Sequence, residues 1–155
     1  MNDGTKLGGS KPILRMLAMK YGYYPDDPLQ AYHCDSLLDG YEDVLAKAPA
    51  PFLLQDGPEK DEKIKEIFEN ILPKFLKVVE DICGKGTKFL VGDELTVADF
   101  WVGGLYTNFV LNNEIPFAKD QWASCVDSYP NFKAYGERFV AANAKYLESR
   151  PKCPV

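Results

Sequence analysis

The sequence predicts an all-α protein, an orthogonal helical bundle built around one buried central helix. Apolar residues recur at spacings of three and four along most of the chain, and no useful stretch alternates with the period of two that is typical of strands. A strong helix-start signal lies at 95–101, and the residues after it are apolar on nearly every side, which is typical of a helix in the middle of a domain. The chain has 155 residues, enough for one domain with its own core.

The first helix is predicted to begin at 11–12 with Ser10 as its N-cap, because serine is a preferred cap and a proline suits the first turn. Gly22 is a suitable C-terminal stop. Segment 23–28 contains two prolines and two aspartates, and it predicts a linker into the next helix. The apolar side of the first helix carries Ile13, Leu14, Met16, Leu17 and Tyr21.

The second helix is predicted over about 29–47, with Pro49 and Pro51 ending it. Asp35, Asp39 and Glu42 form a carboxylate stripe on one side of this helix. Such a stripe is typical of a solvated face, and the alternative is a site that requires negative charge. The apolar face carries Cys34, Leu37, Leu38, Tyr41, Val44, Leu45 and Ala48.

A third long helix is predicted over 58–83, with acidic residues in its first turn where they suit the helix dipole. Pro73 lies inside it. Because proline lacks the backbone N–H and crowds the carbonyl of Glu69, we expect a kink rather than a break. Gly84 and Gly86 then stop the helix.

The central helix is predicted to start at Thr96, whose position relative to Asp99 forms a capping box. Leu95 and Phe100 can close over this start as a hydrophobic staple. The pair at 103–104 is Gly-Gly, which costs roughly 1 kcal/mol per residue relative to alanine in a helix. We therefore expect another backbone to approach closely there.

Two further helices are predicted after the central one. A short helix begins at Pro116, with Phe117, Trp122, Cys125 and Val126 facing inward. Asn131 can cap the next helix, whose apolar stripe carries Phe132, Tyr135, Phe139 and Val140. The tail at 150–155 contains two prolines and is expected to be irregular.

Composition excludes several classes of function. The net charge of −5 argues against nucleic acid and against an anionic membrane surface, since both require a basic face. No apolar run is long enough to span a bilayer, and the polar, glycine-rich start has no secretory signal. The four cysteines are far apart and form no Cys-x-x-Cys pair, so we expect reduced thiols and a cytoplasmic location.

The residues alone predict no catalytic group and no metal site. His33 is the single histidine, with no cysteine or histidine at ligand spacing and no serine placed as a nucleophile, so we interpret it as a surface or packing residue. A glycine motif that could hold a phosphate is also absent from the sequence.

The stretch 89–100, Phe-Leu-Val-Gly-Asp-Glu-Leu-Thr-Val-Ala-Asp-Phe, resembles the capping box and staple in the C-terminal domain of cytosolic glutathione S-transferases almost residue for residue. Segment 35–43 resembles the helix that lines the dimer cleft in sigma-, alpha- and pi-like members. Segment 8–15 resembles the last helix of the family's thioredoxin-like domain, and 130–132 with 139–145 fits its last helices. The resemblance covers essentially the whole chain.

The resemblance implies a division of the chain into 1–25, a remnant of the thioredoxin-like domain with a linker, and 26–155, the helical domain. The residue that activates the glutathione thiol belongs to the part that this sequence lacks. Where the family has Gln-Ser contacting the γ-glutamyl group, this chain has Gly9-Ser10, so one contact is lost. Ser10 and Asp39 are the implied remnants of a glutathione site, and Asp39 matches a carboxylate that reaches across to the partner subunit's glutathione.

Two hypotheses of function follow. The first is a non-catalytic structural or protein-interaction module, a subunit of a larger assembly. The alternative is a glutathione-conjugating subunit, or a truncated form of one, that obtains a thioredoxin-like domain from upstream sequence or from a partner chain. Glutathione is expected only with such a complementing domain, and no other cofactor is expected. The partner is either another protein or a second copy that docks through helices 29–48 and 58–83.

Overall fold

The computed structural model of the chain describes residues 4–48 and 50–153. Within these ranges the secondary structure is helical and contains no β-strand, which confirms the all-α fold class. The helices are α1 (Ser10–Tyr21), α2 (Pro28–Leu45), α3 (Pro58–Glu66), α4 (Leu72–Cys83), α5 (Val97–Leu105), α6 (Lys119–Ser124), α7 (Pro130–Ala142) and α8 (Ala144–Ser149). Two π-helical turns, Ile67–Ile71 and Tyr106–Val110, and a 3-10 turn, Ala50–Leu53, complete the set.

Helix α1 starts one residue earlier than predicted, and Ser10 does not cap it. The N-cap position belongs to Gly9, with φ of 83°, and no side chain makes a capping hydrogen bond there. Ser10 is the first helical residue and is exposed to solvent. The left-handed φ at the cap favours glycine, which explains why the chain enters α1 without a serine cap.

Helix α2 begins at an aspartate cap that the sequence reading missed. The side chain of Asp27 accepts the backbone N–H of Leu29 at 3.1 Å and that of Gln30 at 2.9 Å. The helix ends at Leu45, two residues before the predicted end. Pro49, one of the two predicted stops, lies outside the described residues, whereas Pro51 lies in the 3-10 turn.

The chain continues from α3 into α4 without a break, as predicted for Pro73. The residues just before this proline form a π-helical turn in which the backbone N–H of Leu72 donates to the carbonyl of Ile67. A wide turn of this kind displaces the carbonyls that the proline ring would otherwise crowd. The helical path from 58 to 83 therefore survives the proline.

Helix α5 lies at the centre of the core, although it is not buried on all sides. Val97, Ala98, Val102 and Leu105 are fully buried. Phe100 and Trp101 are half-buried and Leu111 is exposed, so the apolar residues that follow the start of this helix are not all enclosed. The indole N–H of Trp101 donates to the carbonyl of Leu38 in α2 at 3.2 Å, which fixes the edge of the ring that faces the core.

Helices α5 and α7 pack through two glycines that accept aromatic rings. A methyl group built on Gly103 would lie 2.6 Å from the ring of Phe139, and one built on Gly136 would overlap the ring of Tyr106. The predicted close approach at 103–104 is therefore wrong in its partner, since a ring and not a backbone packs on Gly103. A methyl group built on Gly104 would meet only the side-chain nitrogen of Asn108 among the described residues outside the local helix backbone, at 3.9 Å.

Helix α7 is capped from another helix. It begins at Pro130, and neither the preceding Tyr129 nor Asn131 supplies the predicted cap. Instead, the carboxylate of Glu80 in α4 accepts the backbone N–H of Asn131 at 3.0 Å and that of Phe132 at 2.8 Å. The contact joins residues about fifty positions apart and fixes the start of α7 on the side of α4.

The remaining C-terminal elements differ from the prediction mainly in their bounds. The helix expected from Pro116 begins only at Lys119, while Phe117, Trp122 and Val126 are buried as predicted. Helix α8 follows α7 directly. Residues 151–153 are irregular, and the last two residues of the predicted irregular tail lie outside the described residues.

Candidate functional site

The carboxylate stripe on α2 forms ion pairs with two residues of α1. Arg15 Nε donates to Asp35 Oδ1 at 2.6 Å, and Lys11 Nζ donates to Asp39 Oδ1 at 2.7 Å. Lys11 also lies 3.9 Å from Glu42. The stripe stays largely solvated, since the side chains of Asp39 and Glu42 are 65% and 46% exposed, but Lys11 and Arg15 of α1 also pair with it.

Asp35 is the most enclosed member of this cluster. Its second carboxylate oxygen accepts the hydroxyl of Tyr24 at 3.0 Å. Burial and the hydrogen bond to Asp35 raise the pKa of Tyr24. The same carboxylate, through its hydrogen bond, raises the pKa of Arg15. Tyr24 is therefore held as a neutral phenol and does not supply an anion to the site.

The two predicted remnants of a glutathione site lie at the same end of the α1–α2 pair. Ser10 is exposed and directly precedes Lys11, which holds Asp39. The Asp39 side chain is 65% exposed, and the hydrogen bond from Lys11 lowers the pKa of its carboxyl. The structure therefore places Asp39 as an accessible anion, with one of its oxygens already occupied by a cation.

Sequence reading missed the basic half of this cluster. Lys11 and Arg15 are four residues apart on α1, as Asp35 and Asp39 are on α2. Equal spacings on two adjacent helices allow two parallel ion pairs, so the signal was present in the sequence. What it lacked was the information that α1 lies along α2.

Helix α1 leaves several large apolar side chains uncovered. Ala18 is the only buried residue that this helix contributes, while Leu17, Met19 and Tyr21 are exposed, the last two by 61% and 62%. Helix α1 is held mainly by its ion pairs and by Leu14, which packs against the core. Its connection to the bundle continues through the carbonyl of Tyr23, which accepts the backbone N–H of Val97 at 2.8 Å.

A second uncovered surface lies between α2 and α4. It forms a groove of about 490 Å³ whose apolar lining includes Leu37, Val44, Phe75 and Val78. Val78 is 53% exposed. The groove belongs to the two helical segments that the sequence reading assigned to a dimer contact.

The carboxylate of Asp99 is a structural group. Its oxygens accept the backbone N–H of Thr96 at 2.8 Å, the Thr96 hydroxyl at 2.9 Å and the backbone N–H of Leu90 at 3.0 Å. The capping box is thus present, and its carboxylate also fastens the loop that precedes α5. Leu95 and Phe100 are both half-buried against the core, but their direct staple contact remains a prediction. Burial raises the pKa of Asp99, although its hydrogen bonds oppose that shift.

The residues that the structure describes hold no group of histidine, cysteine, aspartate or glutamate suited to a metal ion. His33 is exposed beside the ring of Tyr32, in agreement with its interpretation as a surface residue. Among the described helices, none has the length and apolar character needed to cross a bilayer.

Comparisons with known proteins give a consistent result. The sequence model of the family described as "Glutathione S-transferase, C-terminal domain" matches residues 36–150. The chain is 30% identical to "Probable glutathione S-transferase 7" of Caenorhabditis elegans, over 98% of this chain and 72% of that relative. It is similar in fold to a Nu-class GST from Haemonchus contortus, with a TM-score of 0.79, 30% identity, and coverage of 99% of this chain and 72% of the other. It also matches the fold of a Necator americanus glutathione S-transferase described as monomeric, with a TM-score of 0.80, 24% identity, and coverage of 99% and 73%.

Proposed function

The chain belongs to the glutathione S-transferase family, whose C-terminal helical domain it carries, and on that premise we propose that it is the helical half of a glutathione-conjugating enzyme. The other half is a thioredoxin-like domain that lies against α1 and comes from upstream sequence or from a partner chain. In this proposal residues 1–25 belong functionally with that domain and 26–155 form the helical domain. Glutathione binds only when both halves are present.

The uncovered apolar side chains of α1 carry this proposal. The helix buries one alanine and exposes Leu17, Met19 and Tyr21, which a docked domain would cover. Covering these side chains with a second domain would remove them from water and would add to the ion pairs that hold α1 on α2. Exposed ion pairs contribute only about 0–1 kcal/mol each, so a docked domain would also stabilise the position of α1.

The helical half and the thioredoxin-like half contribute different groups to the proposed reaction. A neutral thiol is a poor nucleophile, and a hydroxyl or thiol donor must stabilise the thiolate. Tyr24, the tyrosine nearest the α1–α2 cluster, donates its hydroxyl to Asp35 and has a raised pKa, so it does not fill that role. The helical half contributes position and charge through Ser10 and Asp39, while thiol activation comes from the docked domain.

A second candidate is the non-catalytic interaction module. Two observations favour it. Gly9 stands where the family has a glutamine that contacts glutathione, and its φ of 83° is a conformation that side chains rarely adopt. In addition, Lys11 already occupies one oxygen of Asp39. Under this candidate the exposed apolar side chains of α1 bind a protein, and no glutathione is bound.

A fusion experiment separates the two candidates. The thioredoxin-like domain of an active glutathione S-transferase is joined to the N-terminal end of this chain, and conjugation of glutathione to chlorodinitrobenzene is measured. We expect no turnover from the chain alone and enzyme-like turnover from the fusion. Met19→Asp should abolish the gain, and Leu53→Asp is the matched control because Leu53 is 85% exposed on a distant turn. A folded fusion without turnover would favour the interaction module.

The proposed partner of this chain is a second copy of itself. We infer a homodimer that forms through α2 and the α3–α4 segment, where the groove beside Val78 offers an apolar surface. Sedimentation equilibrium at micromolar concentration measures the assembly. Val78→Asp should shift the chain to monomer, whereas Lys77→Asp, an exposed neighbour, should change it little. A wild-type chain that remains monomeric would reject this interface.

A further inference from the structure

We propose that Lys11 determines the charge specificity of the glutathione subsite at its end of the α1–α2 pair. Its ammonium holds Asp39 as the ammonium of a ligand would hold it, so the subsite does not favour a γ-glutamyl group that carries a positive charge. Lys11 can act in this way only if glutathione binds beside Ser10 and Asp39, so this inference rests on the proposed function.

The ion pair between Lys11 and Asp39 is short and is enclosed on the lysine side. Lys11 Nζ donates to Asp39 Oδ1 at 2.7 Å. The side chain of Lys11 is 24% exposed and that of Asp39 is 65% exposed, so the protein covers most of the lysine while the carboxylate faces solvent. Arg15 Nη2 lies 4.0 Å from the same oxygen of Asp39. A ligand that reaches Asp39 therefore meets a carboxylate with two cations beside one of its oxygens.

The neighbouring carboxylates do not draw Lys11 away from Asp39. Asp35 Oδ1 accepts Arg15 Nε at 2.6 Å, so this carboxylate already has a cation of its own. Glu42 lies 3.9 Å from Lys11 Nζ, which is longer than a hydrogen bond, and it competes weakly with Asp39 for the ammonium. Lys11 thus has one close anionic partner, and that partner is the accessible carboxylate of the subsite.

The amino group of glutathione is the part of the ligand that this arrangement affects. At neutral pH the tripeptide carries two carboxylates and a single cation, the ammonium of its γ-glutamyl residue. An exposed carboxylate attracts that ammonium, whereas a cation already held on the carboxylate repels it. At such short separations near a protein surface, the repulsion of one unit charge changes an affinity by about tenfold. Lys11 therefore cancels the preference for an ammonium that Asp39 alone would create.

Isothermal titration calorimetry on the fusion of this chain with a thioredoxin-like domain tests the proposal. The two probes are glutathione and glutaryl-cysteinylglycine, which lacks only the ammonium. We expect the wild-type fusion to bind both with equal affinity, and Lys11→Met to favour glutathione by about tenfold because Asp39 loses its close cation. The proposal is overturned if Lys11→Met keeps the wild-type ratio of affinities, if the wild-type fusion already favours glutathione by that factor, or if neither fusion binds glutathione.

Two further variants separate charge from structure. Lys11→Arg keeps the positive charge and should keep the wild-type ratio. Lys133→Met is the matched control, because Lys133 forms an ion pair with Asp127 at 3.3 Å outside α1 and α2, and its loss changes the net charge equally. Urea unfolding checks that each variant is folded, since a structural defect would weaken both probes rather than alter their ratio. Turnover with a ratio that ignores Lys11 would refute this proposal alone, and the expected ratios without turnover would refute only the conjugating activity.

Discussion

Replacing each of two adjacent glycines in α5 by alanine should change the free energy of unfolding in opposite directions. Gly103→Ala introduces a methyl group 2.6 Å from the ring of Phe139, whereas Gly104→Ala introduces one that meets a single atom at 3.9 Å. Ordinary carbon–carbon contacts lie at about 3.5–4.0 Å, so the ring would have to move by about 1 Å. Phe139 is buried, and its neighbours Tyr135 and Phe100 leave the ring little freedom to move.

The difference between the two variants isolates this clash. Replacing glycine by alanine inside a helix gains about 1 kcal/mol at either position, so this term cancels between them. Overpacking a core costs about 1–3 kcal/mol, and this term applies only to Gly103→Ala. We therefore expect Gly104→Ala to stabilise the chain by up to about 1 kcal/mol and to exceed Gly103→Ala in stability by about 1–3 kcal/mol.

Urea unfolding, followed by circular dichroism, measures this difference. A slope of about 1–3 kcal/mol per molar urea would place the two midpoints about 1 M apart. Adding Gly103→Ala to a Phe139→Leu background provides the control, because the smaller side chain removes the clash and the two changes should not be additive. Equal midpoints for Gly103→Ala and Gly104→Ala would refute the packing of Phe139 on Gly103.

Three further predictions follow from individual contacts. Glu80→Ala should lower the free energy of unfolding by about 0.5–2 kcal/mol because α7 loses its cap. Asp81→Ala, a change at the exposed neighbouring residue, should have little effect in the same urea assay. Equal effects of the two variants would contradict the assignment of Glu80 as the cap. Burial raises the pKa of Asp99 above its ordinary 3.8, so the folded chain keeps this proton at pH values where the unfolded chain has lost it, and this group's contribution to stability should fall as the pH rises from about 4 through the raised pKa. Asp99→Asn should remove that part of the pH dependence, and an unchanged profile of stability against pH would refute the assignment. Burial also raises the pKa values of Cys83 and Cys125 to about 12. Iodoacetamide at about pH 8 should therefore modify neither thiol until the chain is unfolded, which peptide mass spectrometry measures. Rapid modification of Cys83 in the native chain would contradict its burial.

Features that depend on neighbours in the chain could be predicted from the sequence. The capping box joins Thr96 to Asp99 across three positions, and both its chemistry and its place at the start of α5 were readable. The helical spacing of apolar residues likewise predicted the all-α class and most of the core. These features follow from the pitch of a helix, which is the same in every protein.

The candidate site was predictable only in part. Sequence reading selected Ser10, Asp39 and the acidic stripe, and it predicted a solvated face, but it did not identify Lys11 and Arg15 as partners of the stripe. It also selected residues near 103–104 for close packing and assigned the wrong partner. In each case the residue type was informative, while the atom that it meets belongs to another helix.

Tertiary structure decided the contacts between distant segments. Glu80 caps α7 from about fifty residues away, Phe139 fills the space above Gly103, and Arg150 reaches back to the π-helical turn after α5. A periodic pattern states which side of a helix is buried, but it does not state the neighbour or the crossing angle. Those are set when all the helices bury their apolar sides together, so the partner of a buried group depends on the whole packing rather than on its local sequence.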